Sequence, residues 1–266
     1  MKIVTFNVNS IRTRLHQLEK LIDKHNPDII GLQETKVRDE EFTVSDITKL
    51  GYHVEFFGQK THYGVAVMSK NKPVAVQKGF ISDNDEAQRR MIMCDFGNIK
   101  FINGYFPQGE SRDHPVKFPA KSKFFADLLG YLKSYFNSSE NILLVGDMNV
   151  APLDLDIGIS PDSVKRWLKQ GKTSFLPEER RWLSDIAEWG LVDVYRKLNP
   201  DCSDFMSWFD YRSKGFEAEP KRGLRIDHIM ASAPLAEKSI SAGIDYEIRG
   251  MERPSDHAPV WVEFSV

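Results

Sequence analysis

Lys2-Ile3-Val4-Thr5-Phe6-Asn7-Val8 opens the chain with the apolar and β-branched composition of a strand. Apolar residues then recur at helical spacing until Pro27, which marks the stop: Ile11, Leu15, Leu18 and Ile22. A second buried strand follows over residues 28–33 and ends at Glu34. Because a strand–helix–strand opening favours parallel pairing of its two strands, the sequence predicts an α/β fold.

Short strands and helices alternate along the rest of the chain. The strand patterns cover residues 53–57, 64–69, 74–80, 91–96, 100–105, 142–145, 205–211, 224–231, 244–248 and 260–264. The helical patterns cover residues 121–136, 163–170 and 177–189. So many strands fit poorly in one open sheet, and two packed sheets with helices outside are expected. Since no repeat or linker interrupts the pattern, we expect a single domain over residues 1–266.

The composition is that of an ordinary soluble protein, 41% hydrophobic and 28% charged, with a net charge of −2. This balance argues against a protein that coats nucleic acid through overall charge, although Lys and Arg cluster locally. The two cysteines, Cys94 and Cys202, make neither a disulfide framework nor a zinc site. With no signal peptide and no apolar run for a membrane span, we expect a cytoplasmic protein and a monomer.

Polar side chains stand at the ends of the predicted buried strands: Asn7, Asn9, Glu34, Tyr105, Asp147, Asn149, Asp227, Asp256 and His257. The last two lie between prolines in Pro254-Ser255-Asp256-His257-Ala258-Pro259, a loop that leads into the final strand. Any one of these residues alone is an ordinary turn residue. Because loops at strand ends converge in α/β folds, their repetition favours one shared site.

The residue types in this set suit the hydrolysis of a phosphate ester. Glu34 and the aspartates offer hard oxygen ligands and no cysteine takes part, which matches Mg²⁺ or Mn²⁺ and not zinc. Asn side chains can hold a phosphate oxygen or an attacking water. A histidine and a metal would stabilise charge on the phosphoryl oxygens while a carboxylate orients the water.

Several of these residues lie in motifs that resemble bacterial exonuclease III, the abasic-site endonuclease family of the metal-dependent phosphoesterases that include deoxyribonuclease I. The matching stretches occur in family order: 7–12 (NVNSIR), 31–36 (GLQETK), 103–109 (NGYFPQG), 146–149 (GDMN), 225–227 (RID), 255–257 (SDH) and the more specific 208–216 (WFDYRSKGF). The resemblance runs from Met1 nearly to Val266. It implies a four-layer α/β sandwich of two mixed sheets between helices. It also implies cleavage of duplex DNA 5′ to abasic sites, with 3′-to-5′ exonuclease and 3′-end repair activity.

Carried over position by position, the resemblance makes Glu34 the principal metal ligand, completed or flanked by Asn7 and Asp256. Asn9 stands where some relatives carry Asp, which removes one charge near the metal. The residues leave open whether one or two ions bind, and whether Mg²⁺ or Mn²⁺ is used.

The resemblance assigns the remaining polar residues to the phosphate and the attacking water. Asp147 would orient or deprotonate the water, and Asn149 and Tyr105 would hold the phosphate. His257 would contact the same phosphate, oriented by Asp227. Either Asp147 or His257 could be the general base, because the two would titrate together. His228 should face away from the site, since neighbouring residues of a strand point to opposite faces.

A DNA-binding surface is the last implication of the resemblance. Trp208, Leu224 and Ile226 match the walls of a pocket for a flipped, base-less sugar, although the residues alone favour core positions. Further contacts to DNA, mostly to its backbone phosphates, are expected from Arg12, Lys36, Arg89, Arg90, Gln108, Lys117, Lys121 and Arg212.

Two rival functions fit part of the sequence. The core motifs also permit a phosphoesterase of the same scaffold that acts on RNA, a phospholipid or an inositol phosphate, but the basic clusters and Trp208 argue against it. A non-enzymatic DNA-binding module would not need the set Glu34, Asp147, Asn149, Asp227 and His257.

Overall fold

A computed structural model describes residues 1–266, with twelve β-strands and eight α-helices. The strands are β1 (Lys2–Asn7), β2 (Ile29–Gln33), β3 (His53–Phe57), β4 (Val65–Ser69), β5 (Ala75–Lys78), β6 (Met91–Asp95), β7 (Lys100–Tyr105), β8 (Ile142–Asp147), β9 (Leu191–Asp193), β10 (Asp227–Ser232), β11 (Ser239–Ile244) and β12 (Val260–Phe264). The helices are α1 (Leu15–His25), α2 (Val44–Lys49), α3 (Lys117–Tyr135), α4 (Pro161–Lys169), α5 (Pro177–Gly190), α6 (Val194–Leu198), α7 (Ala233–Ala236) and α8 (Tyr246–Arg249). None of the helices combines the length and apolar character needed to cross a bilayer.

The strands form two mixed six-stranded sheets. The first has the order β11-β12-β1-β2-β4-β3, and the second has the order β5-β6-β7-β8-β10-β9. In the first sheet, β1 and β2 pair in parallel, with Ile3 opposite Ile29, as the strand–helix–strand opening predicts. In the second, β7 and β8 pair in parallel, with Tyr105 opposite Asp147. The side chains that follow β1 and β2 therefore share one edge, as do those that follow β7 and β8.

Three apolar clusters define four layers, which confirms the expected α/β sandwich. The central cluster packs the two sheets face to face and includes Ile3, Val67, Phe101 and Leu143. A second cluster packs α3 and α5 onto the outer face of the second sheet, and a third packs α1 onto the first sheet. Burying both faces of the inner strands explains their near-continuous apolar sequences.

The Asn103 side chain is a polar bridge inside the central layer. Asn103 lies on β7 and is fully buried. Its Nδ2 donates to the carbonyl oxygens of Leu32 and Ala66 on the other sheet, at 2.9 Å each. Its Oδ1 accepts from Gln33 Nε2 at 2.7 Å. These directed contacts fix how one sheet is placed on the other.

Three sequence-based assignments are wrong in detail. Residues 205–211 form no regular strand; Trp208 makes only isolated bridges to Leu224 and His257. Residues 244–248 contain the end of β11 and most of α8, because Asp245 caps that helix by accepting from Ile248 N at 3.1 Å. Helix α3 begins four residues earlier than predicted, at Lys117 rather than residue 121.

Substituting Asn103 should weaken the packing of the two sheets. Asn103→Ala removes three buried hydrogen bonds, so we expect the free energy of unfolding to fall by about 3 kcal/mol, at about 1 kcal/mol per bond. Urea denaturation followed by circular dichroism measures this. Asn141→Ala, which removes one exposed contact to the carbonyl of Asn98, is the control and should change stability by less than about 0.5 kcal/mol. A loss below about 1 kcal/mol for Asn103→Ala would contradict the bridging role.

Candidate active site

Close contact between β7 and β8 brings their last residues into one pocket. Gly146 has φ +144°, and a Cβ atom there would lie 1.9 Å from the carbonyl oxygen of Gly104. Only glycine allows this approach. Glu34 (φ 52°), directly after β2, and Asn149 (φ 53°), two residues after β8, adopt the left-handed conformation. The chain thus turns sharply at each strand end and directs polar side chains into the pocket.

His257 lies between two carboxylates, one from each side of the imidazole. Nδ1 is 2.8 Å from Asp227 Oδ2, and Nε2 is 3.8 Å from Asp147 Oδ2. The side chains of all three residues are almost completely buried. The structure therefore places Asp227 as the partner of the histidine, thirty residues earlier in the chain, while the carboxylate of the adjacent Asp256 bonds to Asn9 and Trp208 instead.

Burial and the neighbouring charges shift the pKa values of this cluster in opposite directions. Burial alone lowers the pKa of His257, but the carboxylates of Asp227 and Asp147 outweigh it and raise the pKa to about 10. Burial raises the pKa of Asp147 to about 7; His257 opposes this rise, and Asp227 and Glu34 add to it. The neighbouring carboxylates thus favour the imidazolium form of His257, and burial favours the protonated form of Asp147.

The Asn7 amide links two carboxylates of the pocket. Its Nδ2 donates to Glu34 Oε1 and to Asp147 Oδ2, at 3.0 Å each. Its Oδ1 accepts from the backbone N–H of Asn9 at 3.0 Å. The side chain thus aligns Glu34 with Asp147 through its NH₂ group. The predicted role of Asn7, to complete or flank the metal site, stays a prediction.

Glu34, Asp147 and His257 offer ligand atoms that all lie within 4.8 Å of one another. The two carboxylates supply the hard oxygen donors that Mg²⁺ and Mn²⁺ prefer, and no thiolate is present. Lys36 Nζ lies 2.8 Å from Glu34 Oε2, so a cation already balances this carboxylate. The donor set therefore fits a divalent cation at Glu34.

Asp256 lies at the rim of the pocket, outside that group. Its Oδ1 accepts from Asn9 Nδ2 at 2.9 Å, and its Oδ2 accepts from the Trp208 indole N–H at 3.1 Å. Both oxygens therefore have a protein donor. The predicted role of Asp256, to complete or flank the metal site, stays a prediction. Asn9 links this carboxylate to Lys36, whose Nζ lies 2.5 Å from Asn9 Oδ1.

The Tyr105 ring divides two adjoining cavities. Burial raises the pKa of its hydroxyl well above the usual value, and Glu34 and Asp147 raise it further. On one side, the Arg90 guanidinium lies between the rings of Tyr63 and Tyr105, at 4.3 and 4.7 Å from their centroids. Tyr105 is thus a neutral hydrogen-bond donor held in place by a cation–π contact.

The catalytic pocket has a volume of about 360 Å³. Its lining combines the polar strand-end residues with apolar walls: Glu34, Tyr105, Gln108, Asp147, Asn149, Trp167, Lys172, Thr173, Ser174, Trp208, Asp210, Arg212, Ile226, Asp256 and His257. Trp208 and Ile226 thus reach the pocket, as predicted. Leu224 is 1% exposed and packs in the core beneath them with Phe175, so it does not line the pocket.

Sequence reasoning missed the wall made by Trp167 and Lys172. The Lys172 ammonium lies 4.2 Å from the Trp167 ring centroid, and the Trp167 ring stacks on Phe175. Trp167 lies on α4, whose apolar periodicity predicts only a packing role. No local motif could have indicated that it faces the strand ends.

The predicted DNA-contacting side chains divide into two groups. Most are exposed or half-buried: Arg12, Lys36, Arg89, Gln108, Lys117 and Arg212. Arg12, Arg89 and Lys117 form surface ion pairs with Glu41, Asp39 and Glu110, contacts weak enough to exchange for a phosphate. Arg90 is 8% exposed and borders the second cavity.

The prediction that Lys121 contacts DNA is wrong. Its side chain has no exposed surface, and its ammonium forms an ion pair with Glu179 at 2.5 Å. Because the partner lies 58 residues away in the chain, local sequence cannot distinguish Lys121 from a surface lysine. It cannot reach DNA.

His228 faces away from the pocket, as its position next to Asp227 on β10 predicts. Its Nε2 lies 2.8 Å from the Val150 carbonyl oxygen, and its Nδ1 lies 3.0 Å from an Arg225 nitrogen. The ring therefore belongs to a buried polar network behind the catalytic strand ends.

The family model described as "Endonuclease/Exonuclease/phosphatase family" matches residues 4–257, which include every strand-end residue of the pocket. The chain belongs to this family. It is 56% identical to exodeoxyribonuclease III of Haemophilus influenzae over 99% of this chain and 100% of that protein. It is 29% identical to an exodeoxyribonuclease of Bacillus subtilis over 98% of both chains.

Solved structures of family members have the same fold. An AP endonuclease from Archaeoglobus fulgidus superposes with a TM-score of 0.92 at 38% identity, covering 100% of both chains. The 3′ phosphatase NExo from Neisseria, bound to a product DNA hairpin, superposes with a TM-score of 0.91 at 37% identity, also over 100% of both chains. These matches confirm the family resemblance and the four-layer architecture.

The charge on His257 can be measured directly. In metal-free buffer, we expect the imidazole to stay protonated through pH 8, because its pKa is raised to about 10. Asp227→Asn removes the nearest carboxylate charge and should lower the titration midpoint by at least about 1 unit, which corresponds to about 1.4 kcal/mol. Proton–nitrogen NMR of the ring measures both midpoints. Asp85→Asn, on an exposed turn, should leave the midpoint unchanged. A wild-type midpoint near about 6.5 would refute the predicted charge state.

Proposed function

We propose that this protein is a metal-dependent DNA-repair phosphodiesterase that cleaves duplex DNA 5′ to abasic sites, with 3′-to-5′ exonuclease and 3′-end repair activity. The observation that carries the proposal is the geometry of one pocket. His257 lies between Asp227 and Asp147, and Glu34 and Trp208 line the same pocket. The relationship to exodeoxyribonuclease III and to the Neisseria 3′ phosphatase supports the same substrate class.

Mg²⁺ is the proposed cofactor, with Mn²⁺ as a substitute. Glu34 would hold the ion, since its carboxylate is 16% exposed and lies within the cluster of ligand atoms. When bound, such an ion neutralises charge on the phosphoryl oxygens and on the leaving oxygen. Lys36 would then release Glu34 and face solvent or the DNA backbone.

The chain's own residues supply positioning and proton transfer. The imidazolium of His257, held by Asp227, would donate to a phosphoryl oxygen. Tyr105 and Asn149 line the same pocket and would hold the phosphate from other directions. Asp147, whose pKa is raised to about 7, would accept the proton of the attacking water.

DNA would bind across the pocket through exposed basic side chains and insert the lesion beside Trp208. A base-less sugar is small enough for a pocket of about 360 Å³ that already contains the phosphate site, and it must leave the helix to enter. Arg212 at the rim and Lys117 at the adjoining cavity would contact backbone phosphates. We further propose that the protein acts as a single-domain monomer in the cytoplasm.

A duplex with a single abasic-site analogue tests this function. Incubation with Mg²⁺ should cut the lesion strand on its 5′ side, and EDTA should abolish cutting. His257→Ala and Asp147→Asn should each lower the rate by about a thousandfold or more, because each removes an electrostatic or acid–base contribution.

His53→Ala, at an exposed position of β3, is the matched histidine control and should retain full activity. Equal cutting in EDTA would refute the metal assignment. Cutting of undamaged and lesion-bearing duplexes at the same internal positions would refute the abasic-site specificity.

A further inference from the structure

Lys121 and Glu179 form a fully buried ion pair behind the catalytic pocket. Lys121 lies on α3 and Glu179 on the first turn of α5, and neither side chain has exposed surface. Taking two charges out of water is costly unless both are paired and their remaining hydrogen-bonding groups are satisfied. The hydrogen bonds of Lys121 and Glu179 therefore identify the parts of the pocket that the pair positions.

The Lys121 ammonium uses all of its donors. Besides Glu179, it donates to the Asn149 carbonyl oxygen at 2.8 Å and to the Gln108 carbonyl oxygen at 3.3 Å. These carbonyls belong to the loops that follow β8 and β7. One ammonium thus ties together two of the strand-end loops that form the pocket.

Glu179 connects Lys121 to a third loop of the pocket, which contains Ser174 and Leu176. Its Oε2 accepts from the backbone N–H groups of Ser174 and Leu176, at 2.8 Å each. Ser174 has φ +99°, a conformation rare for a residue with a side chain, and its carbonyl oxygen accepts from Ala151 N at 2.6 Å. The carboxylate therefore fixes the strained part of the pocket rim.

Asn149 is the pocket residue most constrained by these contacts. Its backbone is left-handed, its N–H donates to Asp147 Oδ1 at 3.0 Å, and its Nδ2 donates to the Phe106 carbonyl oxygen at 3.0 Å. Lys121 holds the carbonyl, the remaining backbone group. The amide oxygen and the second amide hydrogen are left for the pocket, in an orientation that the surrounding contacts determine.

We propose that Lys121 and Glu179 are positioning residues, which hold Asn149 and the Ser174 rim in the geometry that phosphate hydrolysis requires. Stability alone does not explain the pair, because apolar replacements of a buried ion pair are often neutral or stabilising. Directed hydrogen bonds to three catalytic loops do explain it. The inference rests on the proposed function, since it assigns Asn149 to the phosphate.

The double variant Lys121→Met with Glu179→Gln separates positioning from stability. It removes both buried charges together, and the glutamine oxygen can still accept from Ser174 and Leu176. We expect a melting temperature within about 5 °C of the wild type. We expect kcat on the abasic-analogue duplex with Mg²⁺ at 25 °C to fall about 10- to 100-fold. The Kd for the same duplex, from fluorescence anisotropy, should stay within about threefold.

The matched control is Asp95→Asn with Lys100→Met, which removes a half-buried ion pair at the far end of β6 and β7. It should alter the melting temperature to a similar extent and leave kcat and Kd unchanged. If the first double variant is unfolded at 25 °C, Lys121→Met alone replaces it, because Glu179 still accepts from two backbone N–H groups and can be neutralised by protonation. Its kcat should fall about tenfold, at the lower end of the same range.

The outcomes distinguish the two proposals. Wild-type cleavage together with a folded double variant whose kcat is within twofold of wild type would overturn the positioning role alone. A tenfold weaker Kd with unchanged kcat would also overturn it. Absence of cleavage by the wild type would refute the proposed function, and the positioning role would fall with it.

Discussion

The face-to-face packing of the two sheets is the constraint on which the rest of the structure depends. Glu34 follows a strand of the first sheet, whereas Asp147 follows a strand of the second. Neither sheet alone could build the pocket. The Asn103 bridge fixes one sheet on the other inside an otherwise apolar layer. Because apolar packing is non-directional, such directed contacts are what set the relative position of the two halves of the site.

Electrostatics explains how so many buried carboxylates coexist in the pocket. Asp227 is matched by the imidazolium of His257, and Glu34 is matched by Lys36. Burial raises the pKa of Asp147 to about 7 although the His257 imidazolium, 3.8 Å away, opposes this rise. The pocket thus combines fixed charges with one carboxyl group that can exchange a proton, as hydrolysis requires.

The sequence predicts those features that depend on interactions between residues close together in the chain. The parallel pairing of β1 with β2 and the strand-end positions of the polar residues follow from hydrophobic periodicity and chain connectivity. The errors arise where distant contacts decide. Residues 205–211 have a strand-like composition but meet only isolated partners, and Lys121 is buried by a glutamate on another helix. Trp167 likewise enters the pocket through tertiary packing that no spacing encodes.

The most direct test of the account is a crystal structure of the Asp147→Asn variant with Mn²⁺ and an uncleaved duplex that carries an abasic-site analogue. We predict a Mn²⁺ anomalous peak in coordination with the Glu34 carboxylate, and the phosphate 5′ to the lesion in contact with His257 and Asn149. An anomalous peak away from Glu34, or a lesion phosphate outside this pocket, would contradict the claim that the strand ends of both sheets form one metal–phosphate site.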